Sequence, residues 1–383
     1  MKNKIIFLEC TRHYSYRFSA FNTKTELLAK GLQLQGDDIF IIDSIIGEIE
    51  LTKPLSNIRN GLRFQLFPRK GFLFWCMAKN FIRLAKLMKK EYTPEAKNII
   101  VLTCPFYLLF LLYILLARIY RYKVVSIIDE CHTALEITGS FANTVKISHY
   151  LNDRTFGYFV DGILPISHFL MDKISHFHKP FFLLPILADY DFVPNIQQPQ
   201  SDYFLYCGVC GYYRVISTII KSFAHFVQKG GRQNLILILS GDKRLIENDI
   251  NACNLSERVT IMQNVTYLEL LQLYSNSLAL LIPLSPSSLQ DKARFSQKIA
   301  EYLSSSRPII TVNVGEIPYY FEDKRNAFVL NELTDNSLCE AMLFVAAHLS
   351  LADEVGANGY KTGKESFNYL TVCEKLHNYL SII

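Results

Sequence analysis

The feature that most constrains this chain is an alternation that runs along it twice. Short apolar runs give way to stretches of helical spacing, and the pattern breaks once, at the polar segment Pro194–Ser201. Before the break, Lys4–Leu8, Ile39–Ile42, Asn98–Thr103, Lys123–Ile128, Asp161–Ile166 and Phe181–Leu184 read as strands. Thr23–Leu34 sets Leu27, Leu28, Gly31 and Leu32 on one helical face, and Phe106–Tyr120 reads as an apolar helix. Runs this apolar belong to strands buried on both faces, as in a parallel sheet covered by helices.

The alternation then restarts. Tyr203–Cys207, Leu235–Ser240, Val259–Met262, Ala279–Pro283 and Pro308–Val312 read as strands, with helices over Val215–Gln228, Lys243–Cys253, Tyr267–Ser275, Ser296–Ser304 and Thr334–Leu349. A chain of 383 residues suits two domains of ordinary size. The spacing predicts an α/β protein of two Rossmann-like domains, residues 1–195 and 202–364. The segment 365–383, with a helix over Ser366–Leu380, is expected to cross back to the first domain.

Composition bears on partners. Hydrophobic residues make up 50% of the chain and charged residues 20%, which suits a large buried core. Mean hydropathy is +0.14, high enough to raise the question of a membrane. The start of the chain does not read as a secretory signal: its apolar run stops at Glu9 and no small-residue cleavage site follows. Pro105–Ala117 is too short to span a bilayer. The nine cysteines are scattered, and a reduced cytosolic thiol set is the expectation.

Leu51–Lys90 holds ten basic residues and no acidic one, interleaved with Phe64, Phe67, Phe72, Phe74, Trp75 and Phe81. That mixture suits anionic lipid headgroups, with aromatic rings entering the interface. Single-stranded nucleic acid is the competing polyanion. A solvated helix pair with its aromatics in the core is the plain structural alternative.

The glycine fingerprint of a dinucleotide-binding turn is absent after the first strand, where Glu9–Tyr16 contains no glycine. In the second half, Gly208, Gly211 and Arg214 lie between a strand and a helix, where backbone amides and a cation can face a phosphate; an ordinary strand-to-helix turn explains them equally well. Cys207 and Cys210 form a lone CxxC with no second pair, so no metal is assigned. In Asp291–Pro308, a single helix would put Arg294, Lys298 and Glu301 on one face. Those side chains could grip a diphosphate and a ribose, or form an intrahelical salt bridge on a solvated face.

Five ordered segments make the second half resemble the donor domain of glycosyltransferase family 4, which has the GT-B fold. They are Tyr206–Phe223, Leu237–Asp242, Val259–Tyr274, Phe295–Leu303 and Arg307–Pro318. The resemblance implies two Rossmann-like domains facing across a cleft, and a retaining, metal-independent transfer from a UDP- or GDP-sugar without a cofactor. It matches Glu301 to the residue holding the donor ribose and Arg214 to the cation neutralising the leaving diphosphate, with Lys298 assisting. Gly208, Gly211, Arg294, Gly315 and Glu316 fall in donor-side segments, and Asn264 and Val265 in the loop flanking the base.

Two positions depart from the family pattern. Ala293 stands where a second glutamate is usual, and Val209 where an arginine is usual, with Asp291 and Arg294 as candidate replacements. The first half resembles the family more loosely. There His132 is placed to orient the acceptor or contact the donor sugar, with a plain surface histidine as the alternative. The acceptor implied is a growing, lipid-linked glycan of capsular, exopolysaccharide or lipopolysaccharide type. The protein would then sit at the cytoplasmic face of the membrane, held through residues 51–90, with no nucleic acid as partner. The alternative is a non-catalytic GT-B scaffold that binds membrane or a partner transferase.

Overall fold

A computed structural model describes residues 2–11, 14, 19–49, 51–131, 142–191 and 202–383. The chain divides into two compact units, residues 1–185 with 369–383 and residues 186–368. The predicted linker 194–201 lies outside the described residues.

In unit 1, β1 (Asn3–Leu8) leads into α1 (Ala20–Leu34), β2 (Asp38–Glu48), β3 (Leu55–Arg59), β4 (Leu62–Pro68) and α2 (Leu73–Glu91). Then come β5 (Lys97–Leu102), α3 (Tyr107–Ile119), β6 (Lys123–Ile128), α4 (Ala142–Phe159), β7 (Gly162–Pro165) and α5 (His168–Ile174). The sheet order is β3-β4-β2-β1-β5-β6-β7, with β3 antiparallel at one edge and the other pairs parallel. Strand order therefore reverses between β1 and β5. The apolar runs of β1 and β5 are buried almost throughout, as strands covered on both faces must be.

Two readings are corrected here. Phe181–Leu184 is not a strand; it contributes one bridge, Ile163 to Phe181. Residues 51–90 form a hairpin and one helix rather than a helix pair, because alternation in Leu62–Pro68 buries Leu62, Phe64 and Leu66. α4, α5 and the hairpin carried no clear periodic signal. None of the described helices is long and apolar enough to cross a membrane.

Unit 2 runs β8 (Tyr203–Val209), α6 (Tyr213–Gln228), β9 (Asn234–Ser240), α7 (Arg244–Ala252), β10 (Val259–Met262), α8 (Tyr267–Asn276) and β11 (Ala279–Ile282). It continues through α9 (Leu289–Ala293), α10 (Lys298–Ser304), β12 (Ile309–Val312), α11 (Ile317–Tyr320), β13 (Phe328–Leu330), α12 (Asp335–Ala347) and α13 (Leu349–Phe367). Its order, β10-β9-β8-β11-β12-β13, reverses between β8 and β11, and every pair is parallel. Thr266 caps α8 reciprocally with Glu269.

The last helix, α14 (Tyr369–Ile382), packs on α1 within unit 1. Tyr379 accepts from the Ile163 amide at 3.2 Å and donates to the Pro180 carbonyl at 2.9 Å. His377 meets the buried Asp37 at 2.8 Å.

In unit 2, α13 lies against α10 and, at Gly356, against the turn that follows it. A Cβ there would run into the main chain of Ser306 and stand 2.9 Å from the Pro308 nitrogen. Backbone cannot yield as a side chain can, so Gly356→Ala is expected to destabilise unit 2 by about 2 kcal/mol in urea unfolding.

Candidate functional site

In open parallel sheets, ligands settle outside the carboxyl ends of the strands where strand order reverses. For unit 2 that point is the β8–β11 gap. β11 pairs with β8 only at Phe204 and Leu205, while β8 continues alongside β9 to Val209. Beyond Leu205 the main chain of β8 lacks a strand on the β11 side. α10 supplies the missing partners: the Cys207 amide donates to the Tyr302 hydroxyl at 2.8 Å, and Lys298 Nζ donates to the Cys207 carbonyl at 2.6 Å. Lys298 also lies 4.8 Å from the centre of the Tyr206 ring. Tyr302 is fully buried, packed edge-on against Tyr274 at 4.7 Å.

One turn after Lys298, Glu301 is 7% exposed. Its carboxylate has no hydrogen-bond partner among the described residues, and it makes no ion pair with Lys298. Burial pushes its carboxyl up to about 7, opposed by the nearby Lys298 ammonium. Burial pulls the lysine down, with attraction from Cys207 and Glu301 working the other way. A carboxylate kept in a crevice without a donor of its own is poised to accept hydrogen bonds from a ligand's hydroxyls.

The helix that would set Arg294 on one face with Lys298 and Glu301 does not extend back to Arg294. Arg294 closes α9 in an extended conformation (φ −93°, ψ 156°) and does not share a face with Lys298 and Glu301. Its guanidinium donates to Asp291 at 2.8 Å and to the Tyr212 hydroxyl at 2.6 Å, and lies 4.9 Å from the Tyr212 ring centre. Asp291 is buried and also accepts from the Ser285 amide at 3.0 Å, so it clamps the loop before α9. Arg294 therefore reaches the turn after β8 from a second direction.

That turn holds the other glycine-segment residues. Gly208 lies in the last part of β8, and Gly211 is exposed with nothing within 4 Å of a would-be Cβ. Arg214 stands exposed in the first turn of α6, its side chain without an ion pair among the described residues. Val209, in the usual arginine place, is exposed. The neighbouring strand ends contribute Gly241, whose carbonyl accepts from Gln263 at 2.9 Å, and Asn264 at φ +57°. Asn264 is exposed and Val265 half-buried at the entrance to α8.

Gly315 follows β12 at φ +59°, where a Cβ would stand 2.7 Å from the Asp291 carbonyl. Glycine is required there by conformation and by space. Glu316 is buried at the N-cap of α11. His132 lies outside the described residues. The sequence reading missed the tyrosines Tyr206, Tyr212, Tyr274 and Tyr302, because nothing in their spacing marks them as contacts between elements far apart in the chain.

Residues 191–362 match the family model described as "Glycosyl transferases group 1". This segment is similar to the group 1 glycosyltransferases. No curated protein matches the sequence. Among solved structures, sucrose-phosphate synthase from Thermosynechococcus elongatus is similar over 98% of each chain, with TM-score 0.74 and 13% identity. Anabaena HepE in complex with UDP-glucose is similar over 99% of this chain and 100% of its own, with TM-score 0.72 and 12% identity. A glycosyltransferase from Rickettsia africae is similar over 100% and 98%, with TM-score 0.69 and 14% identity. The fold is GT-B.

Within unit 2, the raised carboxyl of Glu301 makes stability depend on pH. Between the ordinary carboxyl value of 4.5 and the folded value of about 7, the folded state holds a proton that the unfolded state has lost. Stability therefore falls as pH rises through that window, and the penalty persists above it. Unliganded Glu301→Gln should exceed wild type in denaturant unfolding at pH 8, by on the order of 2–3 kcal/mol. The two proteins should converge as pH approaches 4.5.

Proposed function

We propose that the chain is a glycosyltransferase that moves a sugar from a nucleoside-diphosphate sugar to an acceptor hydroxyl, with unit 2 binding the donor. The observation that carries this reading is Glu301: a buried carboxylate with no hydrogen-bond donor of its own, one helical turn from Lys298, at the switch point of a unit similar to the group 1 glycosyltransferases. A ribose diol supplies the donors that such a carboxylate lacks. Lys298, Arg294 and Arg214 surround the turn after β8 from α10, α9 and α6, where a diphosphate would meet positive charge and the N-terminus of a helix. Gly208, Gly211, Asn264, Val265, Gly315 and Glu316 complete the donor-side set, and His132 the acceptor side.

In the reaction, the bond from the anomeric carbon to the diphosphate oxygen breaks and the acceptor oxygen bonds to that carbon. The acceptor proton leaves with the diphosphate. Cations already in place stabilise the charge on the departing group, so the proposal needs no metal. We assign a retaining outcome on the resemblance to glycosyltransferase family 4. UDP or GDP is the proposed nucleotide, and one similar solved structure, that of HepE, is a complex with UDP-glucose.

The acceptor proposed is a lipid-linked glycan of a surface-polysaccharide or lipopolysaccharide precursor, met at the cytoplasmic membrane face. α2 supports this. Its inner face, Cys76, Asn80, Leu84 and Met88, is buried. Its start exposes Phe72, Phe74 and Trp75, and Lys79, Lys86, Lys89 and Lys90 are exposed along the helix. Phe64 and Phe67 instead belong to the core.

A thermal-shift screen with UDP, GDP and their sugars should show stabilisation by one nucleotide family. With that donor, transfer should persist in EDTA, and Glu301→Ala should raise the donor KM about tenfold or more. Stabilisation by no nucleotide would replace the enzyme with a non-catalytic GT-B scaffold. In liposome flotation, the protein should bind anionic vesicles and release with salt. Phe74→Ser with Trp75→Ser should lose most of that binding; equal flotation with neutral vesicles would count against the membrane role.

A further inference from the structure

Unit 1 has its own switch point, between β1 and β5, and one residue there breaks the rules of burial. Lys24 lies in the second turn of α1, in register with Leu28 and Leu32 along the inner stripe of that helix. All three are buried, with Lys24 at 7% exposure, Leu28 at 1% and Leu32 at 0%. An apolar side chain would fill such a position at no electrostatic cost. Instead the ammonium is buried with no hydrogen-bond partner among the described residues. Burial pulls it below the ordinary lysine range, and the groups that oppose this are Asp129 and Cys10.

The Thr25 hydroxyl, next to Lys24 in the chain, donates to the Cys10 carbonyl just after β1. The Cys10 thiol lies within 3.5 Å of Thr103 just past β5, and Asp129 follows β6. The start of α1 is thus held at the carboxyl end of β1 beside the switch point, where open sheets take ligands. Asp129 is felt electrostatically yet makes no ion pair within 4.0 Å. An unpaired buried cation is among the more expensive things a fold can keep, and such departures from burial rules cluster at functional positions.

We propose that Lys24 is the cation of an oxyanion site at the β1–β5 switch point of unit 1, and that the acceptor carries the phosphate or carboxylate group it binds. The link to the acceptor rests on the transferase reading; the oxyanion site does not. A neutral glycan acceptor would leave the ammonium unpaired in the complex as well.

The test compares wild type with Lys24→Met by thermal unfolding, in chloride buffer and with inorganic phosphate or acetate at matched ionic strength. In chloride, Lys24→Met should melt higher by about 2–4 °C, because an unpaired buried charge has been removed. Phosphate should stabilise wild type more than Lys24→Met; phosphate bound in unit 2 acts on both proteins and cancels. Response to phosphate alone assigns a phosphate-bearing ligand, and an equal response to acetate assigns a carboxylate. Asp129→Asn should fold and respond more strongly, since a repelling charge has gone.

A Lys24→Met protein that melts lower in chloride and keeps the full phosphate response would make Lys24 a structural partner of Asp129 and overturn the proposal. An Asp129→Asn protein that melts lower with an unchanged response would overturn it independently. UDP and GDP are run on wild type in parallel. If neither stabilises while the Lys24-dependent phosphate response persists, the transferase reading falls and the oxyanion site stands.

Discussion

Unit 2 depends on how the main chain of Cys207 is satisfied. β11 stops pairing with β8 at Leu205, and an amide and a carbonyl are left at the reversal of the sheet. Burying them unpaired would cost several times what a hydrogen bond contributes. Tyr302 and Lys298 take both groups, which fixes the position of α10 relative to β8. Glu301, between those two residues in sequence, is carried into the crevice as a consequence. Gly356 beneath α10 and Gly315 against α9 are then required, because each lets one backbone approach another more closely than a Cβ allows.

Among the described residues, each unit keeps a buried ionisable side chain without a hydrogen-bond partner near its own switch point. In unit 2 it is a carboxylate, in unit 1 an ammonium. Neither is tolerated for stability. Both sit beside large apolar cores, in which strand runs such as Ile5–Leu8 and Leu278–Ile282 are almost completely buried. Such cores supply the surplus that lets a fold hold charges in reserve for ligands. In the proposed function Glu301 takes hydroxyl donors, and in the proposed oxyanion site Lys24 takes an anion.

Strands were legible wherever both faces are buried, since an unbroken apolar run needs no neighbour to be recognised. β1, β5, β8 and β9 fall close to where the runs predict them. Helices with one apolar stripe, such as α1 and α6, were equally plain. The hairpin before α2 was not, because β3 is an exposed edge strand whose residues carry little apolar signal. α13 was hidden for another reason: its inner face is built on Gly356, Gly359 and Gly363, which leave no hydrophobic period to read. At the site, Glu301 and Lys298 were legible as a pair one turn apart. Arg294 was misplaced, because helical spacing continues through a break that the Asp291 clamp imposes.

The sequence by itself determined the α/β class and the doubled parallel architecture. Both follow from local periodicity, which each stretch of chain expresses without its neighbours. Only the tertiary structure decided which side chains are partnered. It gave Arg294 to Asp291 and Tyr212, gave Lys298 to Cys207, and left the Glu301 and Lys24 side chains buried without hydrogen bonds among the described residues. Burial and pairing depend on groups brought from distant parts of the chain, and no local pattern encodes the distance between them.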